Sequence, residues 1–166
     1  MSEIIENTQE NPAQETPVDP PTPPASTSVI NLAIESVMDL IDGLHNFGII
    51  TRGALGSEDG LSCEIAPSYT ESVYMDKNAY IPVTLAINGK HHNLQTLSDT
   101  LNNIMDTLTR LHSYPSGNGW EIVDITTGIV PRVIGREENN SYLMACDLVI
   151  KIYRKDDTTN ESELGE

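Results

Sequence analysis

Between Ile81 and Leu111 the chain changes its period. Ile81, Val83, Leu85 and Ile87 alternate with polar or small residues, the repeat of a strand with one buried face. Leu94, Leu97, Leu101, Ile104, Met105, Leu108 and Leu111 then recur every three or four positions, the repeat of an amphipathic helix. Asn88-Gly89 predicts a turn between the two, and Asn93 predicts the helix cap. Over residues 94–111 such a helix spans about 27 Å, enough to lie across a small sheet. The segment "SYPSGNG" ends it.

The same reading predicts an earlier helix from Ile30, Ile34, Val37, Met38, Ile41 and Leu44, capped by Ser28 and stopped near Gly43. "IITRG" and "LSCEIAPS" follow as strands, the second with Leu61, Cys63 and Ile65 on one face and Ser62, Glu64 and Ala66 on the other. Ala54 to Gly60 between them is a polar, exposed loop. "WEIVDITTG" and "SYLMACDLVIKIYR" are the last two strands, with Val130 to Ser141 as a long loop between them. The order α, several β, α, β-β implies an α+β fold, a mainly antiparallel sheet with two amphipathic helices packed on one face.

Charge divides the chain. It carries 25 acidic and 9 basic residues, a formal net charge of -16. Ten of the acids lie in the flanks, leaving fifteen acids and nine bases in residues 29–155, a net of -6. Residues 1–28 form an acidic, Pro-rich arm whose Asn11 to Ser28 stretch holds six prolines and predicts an extended spacer. Residues 156–166 read as an acidic solvated tail, and the domain occupies 29–155. An acidic chain has little with which to displace phosphate counterions, and its field repels anionic lipid, so neither nucleic acid nor membrane is the expected partner. No stretch has the pattern of a signal peptide or of about 20 apolar residues, which points to a reducing cytoplasm. Cys63 and Cys146 are then expected to be buried thiols, with a bridge between two strands left as the lesser alternative.

Candidate chemistry is thin. His91 and His92 are adjacent, so their side chains are expected to diverge, and no CxxC, HxxxH or HExxH completes a metal set. The pair reads as a polar joint. His45 and His112 fall just past the two helices, where an imidazole can meet the last carbonyls. Ser98, His91 and Asp99 can be assembled into a nucleophilic trio on paper, but no GxSxG elbow presents the serine. Asp99 and Asp106 fall on the polar side of the second helix, away from its leucine stripe. GxGxxG and GxxxxGK[ST] are absent, and Trp120 stands without a basic cluster, as a core or interface residue rather than a stacking platform. Arg136, in "GREENNSY", is available to pair with an acid of a neighbouring subunit. No catalytic, cofactor or metal residue is therefore assigned, and function is expected to lie in surfaces.

"YIPVTLAINGKHHNLQTLSDTLNNIMDTL" resembles the corresponding part of bacteriophage minor capsid and tail-terminator proteins, in which an extended strand passes through a short polar segment into a helix patterned "L..L...L..I...L". "ESVYMDKNAY" before it and "SYLMACDLVIKIYRK" at the end are similar to the family's flanking segments. The similarity covers Val29 to Lys155 in element order and Ser72 to Leu111 in local pattern. The resemblance implies a non-catalytic α+β subunit of the virion, assembled in the bacterial cytoplasm. It would form a homo-oligomeric ring, typically a hexamer in that family, that stops the tail tube and meets the head-completion or neck proteins. The loops Ala54 to Gly60 and Val130 to Ser141 are the expected contacts, and an acidic lumen would let DNA pass without adhering. Three alternatives stay open: another head-tail connector, a small enzyme or ligand-binding protein with a dispersed site, and a regulator whose acidic tails decoy a basic partner.

Overall fold

The computed structural model describes residues 28–44, 46–66, 72–75 and 78–155. The acidic arm up to residue 27, His45 and the tail from residue 156 lie outside them. Helix α1, Val29–Asp42, buries Ala33, Ile34, Val37 and Ile41. Ser28 occupies its cap position without a side-chain hydrogen bond, so the expected hydroxyl cap is absent. At the other end Asn46 Nδ2 donates to the Ile41 carbonyl at 2.7 Å, satisfying one of the orphaned acceptors of the last turn. Asp42 Oδ1 accepts from the Ile50 N–H at 2.8 Å and so joins the helix to the first strand.

Seven strands form one curled, mostly antiparallel sheet: β1 Ile50–Arg52, β2 Gly60–Ala66, β3 Ser72–Val73, β4 Ala79–His91, β5 Ser116–Gly117, β6 Trp120–Arg136 and β7 Tyr142–Arg154. Their order is β1-β2-β4-β7-β6-β5, with β3 beside β4 and with β1 parallel to β2. The fold is thus mixed α+β and sheet-dominated. The two-residue strands β3 and β5 are additions to the five strands expected from periodicity.

The turn expected at Asn88-Gly89 does not form, because β4 lies between two partners whose ladders carry its backbone straight through. Gly89 pairs with Leu61 of β2 and Met144 of β7. What this glycine supplies is room: a Cβ here would stand 2.6 Å from Leu97 Cδ1 and 3.2 Å from Leu61 Cδ2. The real change of direction comes at His92 and Asn93. Helix α2, Leu94–Thr109, starts there, with Asn93 Oδ1 accepting from the Gln95 and Thr96 N–H groups at 2.9 and 3.2 Å. Its buried stripe is Leu97, Leu101, Ile104, Met105 and Leu108.

One core unites these faces. It joins the α1 and α2 stripes, Ile81, Val83, Leu85 and Ile87 of β4, Met144, Cys146, Leu148, Ile150 and Ile152 of β7, and Trp120, Ile122 and Ile125 of β6. The expected alternation in β2 holds for Leu61 and Cys63 but not further. Ser62 is fully buried and Ile65 exposed. Ser62 pairs with Asn88, on the side where Lys90 is also buried and donates to the Gly56 carbonyl at 2.6 Å. The loop after β1 is thereby held over that end of the sheet, while Ile65 lies toward the other end of β2.

Candidate functional site

Beyond Ile125 the sixth strand leaves the core. Its continuation, "TTGIVPRVIGR", was expected to loop from Val130 onward, yet it stays paired with β7 as far as Arg136↔Tyr142. Three of the four register shifts in this strand pair fall beyond Ile125, so no fixed alternation marks this half as a strand. On its other side β6 pairs only at Trp120 and Glu121, with β5. Among the described residues, the edge from Ile122 to Arg136 therefore faces no strand. Pro131, which lacks an N–H, is tolerated at such an edge. Val130, Val133 and Ile134 are 66%, 53% and 52% exposed, with Ile129 beside them. Four β-branched apolar side chains on an open edge form an adhesive surface rather than the charged or covered edge that isolated sheets favour.

The hairpin end of this surface is rigidly held. Glu137 N–H donates to the Ser141 carbonyl at 2.8 Å, and Asn140 adopts φ 69°, the left-handed conformation that asparagine tolerates best after glycine. Lys90 Nζ, its side chain 3% exposed, lies 3.5 Å from Glu137 Oε2. This pairing, together with the Gly56 carbonyl, compensates a charge that would be costly to bury alone. Arg136 stacks over the Tyr142 ring of its own chain at 4.9 Å.

A second apolar patch lies on the other side of the strand order. Ile65 at the end of β2 and Val73, Tyr74 and Met75 after β3 are all exposed. Tyr74 meets the Tyr80 ring edge-on at 5.7 Å, and Lys151 sits 4.7 Å above that ring.

The histidine pair is arranged differently from the sequence expectation. The two rings do not diverge: they stack with centroids 4.2 Å apart and planes 26° apart. The cause is the change from strand to helix at this point, which removes the period that would separate neighbours. The pairing of Gly60 with Lys90 also brings Asp59 alongside. Asp59 Oδ2 lies 2.6 Å from His92 Nδ1 and 3.7 Å from His91 Nε2. The hydrogen bond from the His92 side chain holds the Asp59 carboxyl below its ordinary range, against the opposing effect of desolvation. Asp59, remote in sequence, could have been found only by knowing this strand register.

The remaining candidates stay apart. Ser98 meets Asn102, Asp99 accepts from Gln95 Nε2 at 2.7 Å, and His91 contacts Asp59, Asn93, Phe47 and His92, so the trio is not assembled. Asp106 and Arg110 form an exposed pair at 3.4 Å. His112 is exposed and forms no hydrogen bond among the described residues. Cys63 and Cys146 are free and buried. Each pairs with Ile87, from opposite sides of β4, which separates their backbones by about two strand spacings, near 10 Å and too far for a disulfide. Burial, aided by Asp147, pushes the Cys146 thiol up to about 12, and burial likewise raises Cys63. Neither is a ready nucleophile. A hollow of about 350 Å3 is lined by Gly48, Ile49, Thr51 and residues 55–61. No helix among the described residues is long and apolar enough to cross a membrane. Compared with known families and curated proteins, the chain matches no family model and no curated protein.

Proposed function

We propose that this chain is a non-catalytic assembly subunit, a tail-terminator-like phage virion protein whose copies close into a ring, most simply a hexamer, on the end of a tail tube. The observation that carries the reading is the pair of separate apolar patches, one on the open β6 edge and one around Val73 to Met75, on opposite sides of the strand order. Two different patches that meet head to tail make a heterologous contact, and such contacts generate rings when the rotation closes. Both helices then cover one face of the sheet. The other face, where Thr84, Ala86, Ala145 and Val149 are half-buried, is left for the tube or the head-completion proteins.

Magnitudes favour a closed ring over a dimer. Burying the remaining exposed area of the four aliphatic side chains on β6 contributes roughly 4 kcal/mol and the patch it meets a comparable amount, within the roughly 4–15 kcal/mol that associating two bodies costs. A single contact is therefore weak. Ring closure gives every copy two contacts, and the last is made within an already connected assembly. Net charge of -16 opposes packing, so salt is expected to strengthen the ring by screening.

Native mass spectrometry of the full chain, at tens of micromolar and moderate salt, tests this directly. The expected result is a monomer and one closed multimer with few intermediates, and loss of the multimer in a Val130→Lys, Val133→Lys double variant. A wild type that stays monomeric under these conditions overturns the ring. Co-sedimentation with the tail-tube protein tests the partner.

A further inference from the structure

We propose that Asp59, His91 and His92 form a binding site for one borderline divalent transition-metal ion, with Zn(II) as the reference case. One ligand atom from each residue lies within 4.8 Å of the other two. The contacts to Asp59 Oδ2, at 2.6 and 3.7 Å, bracket the separation of about 3.3 Å between ligand atoms around a tetrahedral ion with bonds near 2.0 Å. Small movements suffice, and His92, 72% exposed, is free to make them.

An ordinary surface ion pair explains only part of this arrangement. Such a pair needs one histidine; here two imidazoles turn a nitrogen toward the same carboxylate oxygen, and one cation can replace the protons that both contacts require. His91 is the anchored ligand, against the Phe47 ring at a centroid distance of 4.7 Å. Its Nδ1 accepts from the Asn93 N–H at 2.9 Å and lies 3.2 Å from the Asn93 carbonyl oxygen. A metal on Nε2 requires the proton on Nδ1, so the ring must exchange the bond it accepts from the Asn93 N–H for one it donates to the Asn93 carbonyl, the second hydrogen bond that orients most ligating histidines. Two nitrogens and one carboxylate suit zinc, nickel, cobalt or copper rather than calcium or magnesium, which favour oxygen ligands. The positive end of α2 opposes a cation by less than about 1 kcal/mol, far below typical coordination energies. Three protein ligands leave one position for water or an outside ligand. The bound ion would fasten the loop before β2 to the start of α2.

The test is calorimetric titration of ZnCl2 into the untagged full chain after chelator treatment, with unfolding temperature followed in parallel. The expected result is one zinc per chain and a higher unfolding temperature. His92→Ala and Asp59→Asn should each weaken binding about tenfold or more, while His112→Ala leaves it unchanged. Absence of stoichiometric binding at tens of micromolar overturns the site, as does binding that the cluster variants leave intact. Oligomeric state is read separately, so either proposal can fail alone.

Discussion

Strands β6 and β7 are hydrogen-bonded neighbours, yet β7 uses 13 residues and β6 uses 17. The difference follows from their surroundings. β7 has β4 on one side and β6 on the other, so both ladders resist a slip, and its core-facing residues from Met144 to Ile152 alternate without a break. Among the described residues, most of β6 has β7 alone. With one ladder to satisfy, extra residues bulge out, and the strand leaves the core after Ile125. Bulges and Pro131 blunt an edge, whereas exposed Val130, Val133 and Ile134 do the opposite. That conflict within one strand is resolved if a defined partner, rather than any passing edge, covers it.

The largest expected effect lies on the β7 side. Leu148 is fully buried, and Leu148→Ala should lower stability by about 2–5 kcal/mol in urea denaturation, through lost burial and the cavity left behind. A loss below about 1 kcal/mol would mean that β7 is not the locked strand described here. A smaller effect belongs to the bulge between Thr127 and Ile129. A Cβ on Gly128 would stand 3.2 Å from the Asp147 carbonyl oxygen and 3.3 Å from Val149 Cγ2. Gly128→Ala should destabilise by about 1 kcal/mol, the tight contact outweighing the reduced freedom of the unfolded chain. A stabilised variant would show that β6 can shift against β7 and that the bulge is soft.

The same contrast explains what could be read from sequence. β7, β4 and both helices were legible because each has one buried face and an uninterrupted period. The end of β6 was not, since three shifts scramble a two-residue repeat and a proline suggests a loop. Asn88-Gly89 misled for the opposite reason: local turn preference was overridden by two flanking ladders. The histidine cluster depended on a register between Gly60 and Lys90 that no local pattern encodes.

The smallest effect on stability is the most informative about function. Val133 occupies the register position opposite buried Met144, yet it is half exposed. Val133→Thr keeps the β-branched shape and exchanges one methyl for a hydroxyl, so the dilute monomer should change by less than about 0.5 kcal/mol. If a second copy covers the edge, the same hydroxyl enters the contact without a partner and weakens each interface by about 1–3 kcal/mol. Assembly should therefore move to higher protein concentration while the monomer's urea midpoint stays in place, which dilution-series mass photometry and denaturation together would measure. A monomer destabilised by more than 1 kcal/mol would instead place Val133 in the folded subunit's own core and remove the distinction between the two strands.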